Sequence, residues 1–142
     1  MKTISISIIA MFMIIFNCWA GEPIPIEKIP NKVKSFINLH YPDQNIVKSG
    51  IDKELFSVTY EILLSNQVSL DFNEKCDVIE IDGNTELPES TICTTILTYV
   101  NINYPNNYIT GWKLKKYRQQ IELDNDLDLV FDNNGDFKGF DN

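Results

Sequence analysis

The sequence predicts an α+β protein built from two tandem repeats, each one helix followed by about four antiparallel strands, with both helices packed on one face of a shared sheet. Three observations predict it. Residues 33–46 recur as residues 96–109, with four identical positions and five close swaps (Val33/Ile96, Ser35/Thr98, Phe36/Tyr99, Ile37/Val100, Leu39/Ile102). Val68, Leu70, Phe72 and Asn73 recur as Leu127, Leu129, Phe131 and Asp132. Between these blocks the offset falls from 63 to 59, so the first copy holds about four extra residues in a hairpin. Self-similarity at about 60 residues marks two copies of one supersecondary unit. A unit of that size has a marginal core alone, so the copies are expected to merge into one sheet.

The first twenty residues read as an export leader rather than as part of the fold. Lys2 gives the positive start and Ile4 to Phe16 form an apolar run. Cys18 and Ala20 then place small residues three and one before a cut at Gly21. An apolar run of about 13 residues is too short to span a bilayer as a helix. Lipidation at Cys18 is the alternative, although Phe16 and Asn17 stand where a lipoprotein signal carries small residues. Either route takes the mature chain out of the cytoplasm, as a periplasmic or secreted protein or as a lipoprotein.

The first repeat is read over 21–83 and the second over 84–142. Gly21 to Lys28, with Pro23 and Pro25, is an extended lead-in, and Pro30 suits a first helical turn. Val33, Phe36, Ile37 and His40 follow the three-and-four spacing of one helical face. The helix stops near Tyr41, because Pro42 disfavours helical geometry in the residue before it. Strands are expected at Asn45 to Asp52, from Phe56 along the alternation Phe56, Val58, Tyr60, Ile62, at Val68 to Phe72, and at Asp77 to Asp82. In the second copy Pro88 is read as opening a helix about five residues longer, with Cys93 inside it and Ile92, Ile96, Tyr99, Val100 and Asn103 as its stripe. Strands follow at Tyr108 to Leu114, Tyr117 to Leu123, Leu127 to Asp132 and Asp136 to Asp141.

The sheet face turned away from the helices would carry Ser57, Thr59, Glu61, Leu63, Ser69, Asp71, Arg118, Gln120, Glu122, Asp128 and Val130. An open face of this breadth suits contact with another protein, and Thr59, Glu61, Leu63, Arg118, Gln120 and Glu122 are the candidate contact residues. Plain solvent exposure is the competing account. The chain has 12 basic and 20 acidic residues, a formal charge of −8, and loss of Lys2 with the leader leaves it more acidic still. That balance disfavours nucleic acid and anionic lipid surfaces, which need a basic face. Lys113, Lys115, Lys116 and Arg118 cluster beside an acidic C-terminal stretch, an asymmetry that could orient an encounter with an envelope or extracellular protein.

Catalytic chemistry is hard to assemble. His40 is the one histidine, and the repeat puts Asn103 in its place, which suits a polar site at a helix end. Neither a hydrolytic dyad nor a zinc site of ordinary composition follows, and the six glycines are scattered rather than set in a phosphate loop. The expectation is therefore no enzyme and no cofactor, with calcium as the exception to consider. Asp124, Asp126 and Asp128 alternate, and Asp132 and Asp136 follow one strand later, giving hard oxygen ligands. The glycine and the bidentate glutamate of a calcium loop are both missing, and Asp/Asn-rich turns explain the run without metal. Cys76 and Cys93 remain after the leader. Cys76 aligns with the turn residue Gly135, a position of positive φ that cysteine seldom adopts. A Cys76–Cys93 disulfide is one reading, and two free thiols with Cys93 buried beside its helix is the other.

A helix closing on an aromatic–Pro pair (Tyr41–Pro42, Tyr104–Pro105), an alternating hairpin, and the turn Phe131, Asp132, Asn133, Asn134, Gly135 together resemble the PepSY-like proteins, also described as similar to β-lactamase-inhibitor proteins. The resemblance covers residues 27–142. It implies helices packed on an antiparallel sheet, a place in the periplasm or outside the cell, and no catalytic residues to carry over. It also implies an inhibitory or regulatory role through protein contact, or a calcium-responsive periplasmic one. Inhibition of a β-lactamase does not follow from similarity of fold.

Overall fold

A computed structural model of the chain describes residues 21–141, so the leader and Cys18 lie outside the described residues. Strand β1 (Glu22–Pro23) precedes helix α1 (Asn31–His40), which is followed by β2 (Ile46–Glu54), β3 (Ser57–Leu64), β4 (Ser69–Phe72) and β5 (Val78–Asp82). Helix α2 (Thr94–Asn103) then leads to β6 (Ile109–Lys115), β7 (Arg118–Leu123), β8 (Asp128–Asp132) and β9 (Phe137–Phe140). Among the described residues nine strands form a single sheet in chain order, every neighbouring pair antiparallel.

Matching punctuation makes the two helices alike. Each is ten residues long. Pro30 and Cys93 precede them in extended backbone, at ψ 144 in both, and Tyr41 and Tyr104 end them at ψ 53 and 57. The expected five-residue difference in length is thus corrected. Pro88 opens a separate 3-10 turn, Glu89–Thr91, and the chain straightens at Ile92 before α2 begins. The same turn follows Pro25 at Ile26–Lys28. The pairs Pro25/Pro88 and Ile29/Ile92 carry this signal in the sequence. A proline lacks the N–H a helix interior needs, so it stands at the entry of each turn.

The extra residues of the first copy lengthen the β2–β3 hairpin. Its last register pair is Glu54↔Ser57, leaving Leu55 and Phe56 at the tip, 87% and 92% exposed. Phe56 was expected on the inner face; as a turn residue it has no layer above it.

One core runs through both halves. Val33 and Ile37 from α1, Ile96 and Val100 from α2, and Ile62, Leu70, Phe72, Ile81, Ile121, Leu129 and Phe131 from the sheet belong to a single buried cluster. Phe36 meets Phe72 edge-on at 5.4 Å, and Tyr99 meets Phe131 edge-on at 5.3 Å, the same contact made once in each copy. Edge-to-face geometry suits the ring quadrupoles. At the β5–β6 seam Ile81 pairs with Trp112, whose indole N–H donates to Gln119 Oε1 at 2.9 Å.

The two cysteines fall on opposite sides of one repeated contact. Cys76 stands at φ +62 in the β4–β5 turn, as its alignment with Gly135 at φ +87 predicts. Cys93 lies just outside α2, exposed, and a Cβ on Gly135 would sit 2.9 Å from its sulfur. Cys93 therefore covers the turn of its own repeat. Cys76 lies in the turn under α1, where Lys32 donates to the Lys75 carbonyl and pairs with Asp77. Both thiols are free. This corrects the bridged reading, and it also corrects the burial of Cys93: the helix entry places its side chain on the surface.

Candidate functional site

Strand register assembles a site that no single segment shows. Glu61, Asp71, Glu80, Lys113, Gln120 and Val130 are successive neighbours across β3 to β8. In the adjacent row stand Leu63, Ser69, Asp82, Gly111, Glu122 and Asp128. Side chains two apart on a strand share a face, so six carboxylates lie in two rows on the side away from the helices. Lys113 stands among them and pairs with Glu80 at 2.6 Å.

Gly111 shapes the middle of this face. It lies between Asp82 and Glu122, and a Cβ there would come within 3.1 Å of both Cβ and Oε2 of Glu122. The Glu122 carboxylate therefore leans over the bare backbone. The resulting shallow groove, about 150 Å³, is lined by Glu80, Asp82, Gly111, Lys113, Gln120 and Glu122 among others.

Burial and crowding both show in the acidities. Burial, then Glu80 and Glu61, push the Asp71 carboxyl up to about 6 against the opposing pull of Lys113. Burial and Glu80 raise Asp82. Burial raises Glu122, followed by Asp128, Asp82 and Asp126. A raised folded-state carboxylate means the native state holds its proton more tightly than the unfolded chain, so stability rises as pH falls from above 6 towards 4. Asp71→Asn is expected to raise the melting temperature at pH 7.5 and to flatten its rise between pH 7.5 and 5. Unchanged pH dependence in that variant would exclude Asp71 as its source.

The candidate contact residues share this face but not one spot. Thr59, Glu61 and Leu63 are on β3 and Arg118, Gln120 and Glu122 on β7, with β4, β5 and β6 between them. Glu61 and Gln120 fall in one row, Leu63 and Glu122 in the other. Glu61 accepts the Gly21 N–H at 3.0 Å. Arg118 lies 3.7 Å and Lys115 3.3 Å from the Asp141 carboxylate, so the basic cluster is partly met by the chain's own acids. Glu80, Asp82, Gly111 and Lys113 were not among the candidates. The alternations Glu80, Ile81, Asp82 and Gly111, Trp112, Lys113 carried the signal, but only pairing of β5 with β6 reveals that they meet.

The five aspartates considered for calcium do not converge. Asp124 Oδ1 accepts from Asn107 Nδ2 and the Tyr108 N–H, at 2.9 and 3.1 Å. Asp132 Oδ1 accepts the N–H groups of Asn134 and Asp136, and its Oδ2 pairs with Lys138 at 2.9 Å. Asp126 is a turn residue at φ +63, while Asp128 points to the open face beside Glu122. Among the described residues no group of three or more His, Cys, Asp or Glu side chains is placed to hold a metal ion. The oxygens of Asp124 and Asp132 are engaged in holding the hairpin ends. His40 packs against Phe36 with ring centres 4.4 Å apart and planes tilted by 47°, and its Nδ1 lies 2.8 Å from Ser90 Oγ, while Asn103 donates to the Tyr99 carbonyl. Both act as polar groups at a helix end.

Comparison with known proteins agrees with this architecture. The model of the family described as "Putative beta-lactamase-inhibitor-like, PepSY-like" matches the chain twice, over residues 18–80 and 58–139. No curated protein matches it. A crystal structure from Bacteroides thetaiotaomicron, described as a "putative calcium-regulated periplasmic protein", superposes with a TM-score of 0.80 at 25% identity, covering 85% of this chain and 96% of that one. A "putative periplasmic protein" of the DUF2874 family from Bacteroides vulgatus ATCC 8482 has a TM-score of 0.80 at 23% identity, covering 88% and 99%. A second B. vulgatus protein, described as periplasmic and of unknown function, has a TM-score of 0.79 at 26% identity, covering 83% and 95%.

Proposed function

The chain belongs to the PepSY-like family, and from that premise we propose that it is an exported, non-enzymatic module that binds a cationic protein surface through its open sheet face. The observation that carries this reading is the pair of carboxylate rows centred on Gly111. Carboxylates that burial, and then their carboxylate neighbours, make hold their protons more tightly gain from a partner that brings lysine or arginine to them. Complementary charge of this kind steers encounter and sets orientation. The family's inhibitor-like description and the periplasmic relatives support a role in contact outside the cytoplasm. Among the described residues no helix is long and apolar enough to cross a membrane.

The test is site-specific photo-crosslinking in an envelope extract. A crosslinker at Gln120, in the acidic face, is expected to trap a partner that one at Ser35, on the exposed side of α1, does not. Asp71→Asn, Asp82→Asn and Glu122→Gln together should lower the yield at least tenfold. Salt at about 1 M, where the screening length is about 3 Å, should do the same. Equal trapping from both positions, or trapping indifferent to the triple change, would reject the proposed face. A chelator arm separates a calcium-assisted contact, suggested by the description of the B. thetaiotaomicron relative, from a direct one.

A further inference from the structure

The start of the described chain is seated in a way that calls for a reason. Gly21 N donates to Glu61 Oε2 at 3.0 Å. Glycine suits this position: a Cβ would stand 3.0 Å from the Ile51 carbonyl carbon and 3.1 Å from the Asp52 nitrogen, and would push the Glu61 oxygen, 2.7 Å away, off the nitrogen it holds. Glu22 and Pro23 pair with Ile51 and Gly50. The Ile24 N–H donates to the Ser49 carbonyl at 3.0 Å, and the buried Ser49 hydroxyl donates back to the Ile24 carbonyl at 2.7 Å. Glu61 sits on β3, not on the strand next to β1, and its register partner on β2 is Gly50. With no side chain in the way, the carboxylate crosses β2 to reach Gly21.

The same residue is where the leader is expected to end, with Ala20 and Cys18 as the small residues before the cut. We propose that Glu61 is the receptor for the N-terminus created by that cut. Hydrolysis of the Ala20–Gly21 peptide bond by a signal peptidase consumes one water, leaves a carboxylate on Ala20 and frees the Gly21 amine, which takes up a proton. A neutral N–H donor thereby becomes an ammonium with three donors beside a carboxylate, and charge-assisted hydrogen bonds are the stronger kind. Processing thus fastens β1 along β2 and covers backbone groups that a sheet edge would otherwise offer to another strand. It also sets one positive charge beside Glu61, at the β3 end of its carboxylate row. This inference is independent of which partner the open face takes.

The ion pair raises the ammonium's pKa above its ordinary value of about 7.7–8.0. Glu61, Asp71 beside it and Asp52 opposite Gly21 all act in that direction. The stabilisation is fully present below the ordinary value and is lost as pH rises through the raised one.

The test compares three forms of the mature chain: one beginning with a free Gly21 amine, the same chain acetylated at that amine, and one beginning at Ala20. Each is made with Glu61 and with Glu61→Gln. NMR titration of labelled Gly21 is expected to place its amine about one pH unit above the ordinary value with Glu61, and at the ordinary value in Glu61→Gln. Acetylation and the Ala20 extension should each lower the melting temperature at pH 6.5 in the Glu61 background and leave it unchanged in Glu61→Gln. Intact mass of the exported protein should correspond to a start at Gly21. An ordinary amine pKa with Glu61 present, equal melting shifts in both backgrounds, or a lipid-modified Cys18 as the first residue would each overturn the proposal.

Discussion

Gly135→Cys is expected to form a disulfide with Cys93, with Thr95, whose Cβ would lie 3.0 Å from the new Cβ, giving by a few tenths of an ångström, and to raise the melting temperature by roughly 10 °C. The Cβ of residue 135 would lie 2.9 Å from the Cys93 sulfur, and in a disulfide that separation is about 3 Å. The bridge closes the chain from residue 93 to residue 135, and restriction of the unfolded state by a loop of that length contributes about 4 kcal/mol. Against this stands the cost of a side chain at φ +87, about 1 kcal/mol. The chain already tolerates such a cysteine at the equivalent turn position, Cys76 at φ +62. The check is thiol titration of the unfolded, unreduced variant together with melting in the presence and absence of reductant. One free thiol and a gain abolished by reductant are expected. Three free thiols would mean that the helix entry and the turn are not apposed as described.

Phe131→Ala is expected to cost about 3–5 kcal/mol, a large share of the stability of a domain this size. Phe131 is fully buried and meets Tyr99 at 5.3 Å and Phe137 at 5.7 Å, so truncation leaves a cavity walled by rings that cannot collapse into it. Phe72→Ala, its counterpart in the first copy, should cost a similar amount. Because one buried cluster spans both halves, each variant should lower a single cooperative denaturant transition and leave its slope unchanged. Two separated transitions, with only the mutated half destabilised, would show that the copies fold as independent units.

Legibility of the candidate site was uneven for a physical reason. Alternation along β3, β4, β7 and β8 correctly assigns Glu61, Asp71, Gln120, Glu122 and Asp128 to the outward face, since a strand's period of two is local information. The contribution of β5 and β6 is not local. Glu80 and Asp82 come from the end of one copy and Gly111 and Lys113 from the start of the next, separated in sequence by α2. Nothing in either segment alone says they are paired. The aspartate run shows the opposite limit: its spacing suggests ligands, but spacing alone does not tell that Asp124 and Asp132 accept from backbone N–H groups at the hairpin ends.

By itself the sequence determined the class of fold, the recurrence of one pattern, the helix ends at Tyr41 and Tyr104 and the inward residues within β3, β4, β7 and β8. These follow from steric rules of proline, from periodicity and from self-similarity, all of which act over a few residues or between copies of one pattern. Tertiary structure alone decided that the copies join edge to edge through β5 and β6, that the carboxylates line up in two rows across that seam, and that Cys93 covers Gly135 rather than Cys76. It also decided that Glu61 reaches across Gly50 to hold Gly21. Each of these depends on which backbones lie side by side. Strand register and helix docking settle that through burial of a common core, a property of the whole chain that no segment expresses alone.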